Sequence, residues 1–473
     1  MNPGLIFLVM SSDYVAPNNF RSRNPADPID LLGDFNYMSS NEISELAERA
    51  AGVKRPWSSD PIARSNALRL SSDLIKTHRE ELERLISLEV GKPIGEAKGE
   101  VSRAISILDY YASLTLISLG ETLPAIGNAH LYSIRVPYGI AGLITPWNFP
   151  VAIPIWKAAP ALAAGNCVII KASEFATATA YKLIEILSKA LPPHVLGLVT
   201  GVGEQGATMI SCSDIVSFTG SVKTGNKVIE ACSRAKIPVQ AEMGGSNPAI
   251  VFEDADLDQV VSNLVIGAFS YSGQKCTATR KVITVGNRKL SEELNRKMQA
   301  AIDGLRIGNP LDPQTYIGPL INEDSVGRFN GAVARAKDEG ATVYESSQEL
   351  PTEGFYVRPA LTFNLEASSS LIREEVFGPM LNLIHVNDED AAIELANDTE
   401  YGLTASIHTT NIKQALELSN RLITGMVKVN APTAGVDFYA PFGGAKESSF
   451  GPREQGRTAM DFYTYSRTVF LNA

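Results

Sequence analysis

The segment "FSYSGQKCTATR" (Phe269–Arg280) places Cys276 behind a Gly-Gln pair and ahead of small polar residues. A cysteine there reads in two ways. It is a small buried hydrophobe, the common fate of a free thiol, or a nucleophile whose thiolate attacks an electrophilic carbon. Three other segments supply what such a nucleophile would need. In "TPWNFP" (Thr145–Pro150), Asn148 lies between aromatics and prolines, where a rigid turn can present an amide N–H to an oxyanion. "AEMGGSNP" sets Glu242 before Gly244 and Gly245, a carboxylate suited to the mouth of an α/β site. "REEVFGP" sets Glu374 and Glu375 ahead of Phe377 and a Gly-Pro turn. Each segment also has a plain structural reading, as a turn asparagine or a solvated glutamate. The same thiol could instead serve a cofactor-independent cysteine hydrolase, with His194 or His385 as its base.

These residues lie far apart in the chain, so elements of a fold must bring them together. Helical periodicity dominates from Ser40 to about Leu119, with one stretch ending at Gly91. From Tyr132 the pattern changes to strands broken by Gly and Pro. A small-residue helix, "WKAAPALAAGN", precedes the strand "CVIIKAS"; the helix "TATAYKLIEILSKAL" precedes the strands "VLGLVTGVG" and "DIVSFTGS". Strands alternating with helices imply a parallel, doubly wound α/β sheet. A second α/β stretch runs from "NPAIVFED" to about Phe442, and "FYTYSRTVFL" forms a final strand. No linker is long enough to suggest independently tumbling domains.

Composition narrows the partners. The 473 residues are 44% apolar and 20% charged, with a net charge of −10 and no block of Lys and Arg. This argues against nucleic acid or an anionic membrane as the main partner. The four cysteines show no metal spacing and no CxxC pair, and the five histidines no HExxH pattern, so metal catalysis is not expected. A reducing, cytoplasmic setting fits best. The N-terminal "GLIFLVM" has only seven apolar residues and reads as neither signal peptide nor membrane span.

Two phosphate-binding patterns are present in imperfect form. "GVGEQG" (Gly201–Gly206) matches G-x-G-x-x-G, but the strand that follows ends in "FTGS" rather than in an acidic residue. "GSVKTGNKV" has Asn where a phosphate loop needs Lys. Gly220 and Gly225 still bracket a turn into a helix, where free N–H groups and the Ser221 hydroxyl can hold a phosphate.

Along the chain come "TPWNFP", "VIIKASE", "FTGS", "EMGG", "SGQKCT", "EEVFGP" and "PFGG" (Pro441–Gly444). In this order and at these spacings they resemble the aldehyde dehydrogenase superfamily over almost the whole chain. The resemblance implies an α/β aldehyde dehydrogenase fold. Its cofactor domain, a variant of the Rossmann type, would span 1–118 and 138–243, and its α/β catalytic domain 244–446. A β oligomerisation arm, 119–137 and 457–473, would build a homodimer or homotetramer. The cofactor would be NAD or NADP. It would be held by Thr145, Pro146 and Trp147, by Lys171, Ser173 and Glu174 at the adenosine ribose, by the Gly220–Ser221 turn and Gly225 at the pyrophosphate, and by Glu375 and Phe377 at the nicotinamide side. Cys276 would be the nucleophile, Asn148 the oxyanion donor and Glu242 the base that hydrolyses a thioester. Relatives that pass the acyl group to coenzyme A generally lack that glutamate, so its presence favours a free acid as product. Trp147, Phe149 and Trp156 would line the aldehyde channel, and Lys275 would attract an anionic group on the substrate. The stretch "SGQKCTATR" and the segment ending "PREQG" are similar to members that oxidise 2,5-dioxopentanoate; lactaldehyde, glyceraldehyde and succinate semialdehyde are the competing small substrates. One departure stands out: "KESSFG" carries Ser449 where many relatives have Gly.

Overall fold

The computed structural model describes residues 19–117, 120–366 and 368–472; the "GLIFLVM" segment and the expected helix boundary near Leu119 lie outside the described residues. After an antiparallel hairpin (Asn19–Asn24 with Asp27–Asn36), four helices follow: α1 (Ser40–Ser59), α2 (Pro61–Thr77), α3 (Arg79–Val90) and α4 (Ile94–Leu114). Local chemistry sets their ends. Ser39 and Glu42 form a capping box at α1, and Asp60 caps α2 with Pro61 at the first helical position. Gly91, at φ 68°, closes α3 in the left-handed conformation that a glycine adopts without strain. Buried Ile43, Leu68, Ile75, Leu82, Ile86, Val101 and Ile107 form the inner face of this layer.

The first sheet has six strands: β1 (Ile140–Ile144), β2 (Cys167–Lys171), β3 (Leu196–Val199), β4 (Ile215–Thr219), β5 (Val239–Glu242) and β6 (Ser449–Phe450). Their order is β6-β5-β4-β1-β2-β3. All neighbours are parallel except β6, which runs antiparallel to β5. The strands β2 and β4 are buried along their whole length, as a parallel sheet covered on both faces requires. Helices α5 (Ala152–Ala164) and α6 (Val222–Ala235) follow β1 and β4. The chain proceeds outward from β1 to β2 and β3, then returns to the other side of β1 with β4 and β5. Strand order therefore reverses between β1 and β4, which opens a crevice at their carboxyl ends.

The second sheet has seven strands, in the order Thr342–Glu345, Ala360–Phe363, Met380–Val386, Thr279–Val285, Asn247–Val251, Thr404–His408, Met426–Val429. Only the first of these runs antiparallel to its neighbour. Residues 243–246 join the carboxyl end of β5 directly to the start of Asn247–Val251, so the exit edge of one sheet meets the entry edge of the other. A separate three-stranded antiparallel sheet pairs Thr464–Leu471 with His130–Pro137, and that strand with Glu121–Leu123. No helix among the described residues is long and apolar enough to cross a membrane.

Candidate active site

Cys276 lies at this seam, three residues before the strand Thr279–Val285 begins. The chain reaches it through a contorted turn: Tyr271, Ser272 and Gly273 have φ of 51°, 52° and 67°. A left-handed conformation in a tyrosine and a serine stores about 1–3 kcal/mol each, so the surroundings must enforce it. They do. Tyr271 Oη donates to Val90 O at 3.1 Å, Ser272 Oγ to Gly318 O at 2.7 Å, and the Gln274 amide both donates to Pro319 O and accepts from Ile321 N–H. Arg280 donates to Gly273 O, Lys275 O and Gly378 O, and Asn247 Nδ2 to Cys276 O at 2.8 Å. A Cβ at Gly273 would stand 2.2 Å from Gly378 O, so only glycine fits there.

The thiol is partly exposed; burial first, then the charges of Glu375 and Glu242, push it up to about 12. The backbone N–H groups of Cys276 and Thr277 act the other way. Asn148 comes to the same loop from β1. Its Nδ2 donates to Gln274 O at 3.0 Å, which leaves the second amide hydrogen for another acceptor, and its Oδ1 is buried without a partner.

Glu242 ends β5. Its Oε2 accepts from Ser449 Oγ at 2.5 Å, and its Oε1 is buried without a hydrogen bond. Burial, and then the charge of Glu454, hold its carboxyl well above the ordinary range, against the opposing effects of Ser449, Lys157 and Arg453. Glu375 is anchored nearby, accepting from Gly245 N–H at 3.1 Å, and burial raises its carboxyl too. Phe377 meets the edge of Trp147 at 5.7 Å between ring centres.

The crevice between β1 and β4 is the place where a sheet of this order takes a ligand. Thr145 Oγ1 and Thr219 Oγ1, at the ends of these two strands, are buried with no hydrogen-bond partner, so each holds unused hydrogen-bonding capacity. At the end of β2, Lys171 Nζ lies 3.8 Å from Glu174 Oε2, and Ser173 Oγ lies 3.4 Å from that same oxygen. Thr145, Pro146 and Trp147 leave β1 at the same edge. Ser221 caps α6, accepting from Thr224 N–H at 3.3 Å. Gly225 departs from the bracketing role expected of it. It lies inside α6 with its N–H bonded to Ser221 O, and a Cβ there would stand 2.4 Å from Met243 Sδ. Its smallness lets the helix approach the sheet. The G-x-G-x-x-G match follows β3, the edge strand, away from the reversal point.

Two substrate-side expectations are corrected. Lys275 does not offer a free surface cation: it is 6% exposed. Its ammonium is buried, donating to Ile266 O at 3.3 Å and to Ser270 Oγ at the carboxyl end of the preceding helix. Trp156 is buried in the core against Phe442, at 5.5 Å between ring centres. Phe149 is partly exposed beside the nucleophile loop, with Lys92 Nζ 3.8 Å from its ring centre and Tyr271 edge-on at 6.2 Å. Neither histidine of the hydrolase alternative is placed to help Cys276. His385 pairs in register with Thr284, at the far end of the strand that Cys276 leads into, and His194 occupies an exposed turn before β3, at the opposite edge of the first sheet.

Two buried ion pairs escaped sequence reading. Lys92 pairs with Glu100, both fully buried, and Glu100 Oε1 accepts from Val151 and Ala152 N–H at 2.8 and 3.0 Å, which fixes the start of α5 just after Asn148. Lys157 on α5 pairs with Glu454, and both contact Ser217 Oγ on β4. In sequence these residues look like ordinary surface charges of helices and loops.

Residues 14–469 match the aldehyde dehydrogenase family. The chain is 37% identical over 458 residues to the alpha-ketoglutaric semialdehyde dehydrogenase of Bacillus subtilis (strain 168), covering 95% of this chain and 93% of that protein. It is 34% identical over 456 residues to the 2,5-dioxopentanoate dehydrogenase of Saccharolobus solfataricus, covering 94% and 95%. The crystal structure of betaine aldehyde dehydrogenase from Staphylococcus aureus in complex with NAD+ superposes with a TM-score of 0.92 at 28% identity, covering 96% of this chain and 92% of that one. With a thiol, an amide and a carboxylate gathered where the two sheets meet, the chain belongs to the aldehyde dehydrogenase family.

Proposed function

We propose that the protein oxidises a small aldehyde to its carboxylic acid with NAD, and that 2,5-dioxopentanoate is the aldehyde. The observation that carries the chemistry is the convergence of Cys276, Asn148 and Glu242 at the seam between the sheets, beside a crevice with unpartnered threonines. The substrate rests on the two relatives that act on this compound.

Thr145, Lys171, Glu174, Ser221, Glu375 and Phe377 would hold the dinucleotide. A nicotinamide dinucleotide held by these residues would supply the hydride acceptor and, in its oxidised form, a positive charge. Cys276 gives up its proton to solvent, and its thiolate Sγ then bonds to the aldehyde carbon as the carbonyl π bond breaks toward oxygen. The free Asn148 amide hydrogen and the Cys276 N–H hold the resulting oxyanion, each well-placed donor contributing about 3–4 kcal/mol. Loss of hydride from that carbon leaves a thioester on Cys276. Glu242 takes a proton from the water that attacks the thioester, and the thiol departs with the acid formed. The ribose side favours NAD: Glu174, steadied by Lys171 and Ser173, accepts hydrogen bonds from ribose hydroxyls and repels a 2′-phosphate.

The units we assign are a cofactor domain (1–118 and 138–243), a catalytic domain (244–446) and an arm (119–137 and 457–473). Among the described residues, the outer edge of the arm's strand Thr464–Leu471 pairs with no other strand and carries exposed Tyr465, Phe470 and Leu471, which supports assembly into a homodimer or homotetramer. Four free cysteines support a cytoplasmic setting. The test is absorbance at 340 nm with NAD and NADP against a panel of 2,5-dioxopentanoate, succinate semialdehyde, lactaldehyde, glyceraldehyde and betaine aldehyde. The highest kcat/KM is expected for 2,5-dioxopentanoate with NAD. A clear preference for another aldehyde would overturn the substrate, and no reduction with any of them would overturn the reaction.

A further inference from the structure

Ser449 is the residue at which "KESSFG" departs from many relatives, and the fold gives the departure a location. In the antiparallel pairing of β6 with β5, Ser449 sits directly opposite Glu242. Its Oγ accepts from Gly444 N–H at 2.6 Å, which directs its own hydrogen to Glu242 Oε2 at 2.5 Å. On the other side Gly443, at φ 150°, leaves room for the carboxylate: a Cβ there would stand 2.8 Å from Glu242 Oε1. Oε1 itself is buried and unpartnered, so the serine is the carboxylate's one hydrogen-bond donor among the described residues. A glycine at 449 offers no such donor.

We propose that Ser449 is a positioning residue for the general base, holding the Glu242 carboxylate on the β6 side of the site and favouring its ionised form between turnovers. The proposal rests on reading Glu242 as the base that hydrolyses the thioester. The charged and titratable groups facing Glu242 are Glu454 and Arg453 beyond β6, Lys157 on α5 and Cys276 on the nucleophile loop. Glu454 favours the neutral acid, and the two cations oppose it. The serine hydroxyl adds to the cations, because a donated hydrogen bond favours the carboxylate. Removing it should therefore raise the pH at which the base becomes active.

The measurement is decay of the Cys276 thioester across pH, followed by rapid quenching and intact mass, in wild type, Ser449→Ala, Ser449→Gly, Ser449→Thr and Glu242→Gln. The acid limb of the decay rate should move to higher pH by at least about half a unit in the alanine and glycine variants, a roughly threefold slower decay below the midpoint. Ser449→Thr, which keeps the hydroxyl, should restore the wild-type limb. A merely structural role would lower the rate evenly at every pH, and that result overturns the proposal. So does an unchanged limb in both Ser449→Ala and Ser449→Gly while Glu242→Gln still accumulates thioester. If Glu242→Gln fails to accumulate thioester, the base assignment falls and takes this proposal with it.

Discussion

At the scale of single residues, Cys276 meets two carboxylates and two backbone N–H groups that pull its ionisation in opposite directions. Cys276→Ala should abolish aldehyde oxidation while leaving NAD binding intact, as measured by steady-state kinetics and calorimetric titration. Glu375→Gln removes one of the charges that raise the thiol. The midpoint of the iodoacetamide alkylation rate against pH should then move to lower pH in the cofactor-free protein. Glu242→Gln should stall after hydride transfer, seen by intact mass as an acyl adduct on Cys276. Cys276, Asn148, Glu242 and Glu375 were legible in the sequence because each sits in a short motif whose order and spacing repeat a family pattern. Lys275 was misread for a physical reason. Sequence places its Cα beside the nucleophile, but the side-chain direction is set by Ser270 and the carbonyl of Ile266, which the motif does not reveal.

At the scale of elements, the start of α5 decides where Asn148 points, and the Lys92–Glu100 pair holds it. Glu100→Ala strands a buried ammonium and leaves two helix-start N–H groups without their acceptor. The loss should be about 3–5 kcal/mol in denaturant titration, and Lys92→Met added to it should recover part of that loss. An outcome within error of wild type would mean the pair is incidental. The caps at Ser39 with Glu42 and at Asp60 with Pro61 are written locally, yet the periodicity from Ser40 read the helices as one region and did not use them. The nucleophile turn was not legible, because Tyr271 and Ser272 give no hint of left-handed backbone. Only the hydrogen bonds and close packing of the folded loop impose it.

For the whole molecule, alternating strands and helices announced the two α/β units, and the reversal of strand order places the crevice. The free edge of Thr464–Leu471 predicts assembly: Phe470→Asp should shift the species seen by light scattering toward monomer with little change in secondary structure. An assembly of unchanged mass would remove the arm from that role. The return of β6 to the first sheet was illegible, since two residues, Ser449 and Phe450, carry too little pattern to declare a partner. That return also has a consequence for how the enzyme comes into being. Glu242 and Ser449 are 207 residues apart, and at about 5–20 residues per second a ribosome needs roughly 10–40 s to travel between them. Throughout that interval the nascent chain has the strands of its cofactor sheet up to Glu242 but lacks Ser449, Arg453 and Glu454 around the base. Until residues 449–454 are made, a nascent chain therefore carries its base without the hydroxyl and the charges that set the base's ionisation in the finished fold.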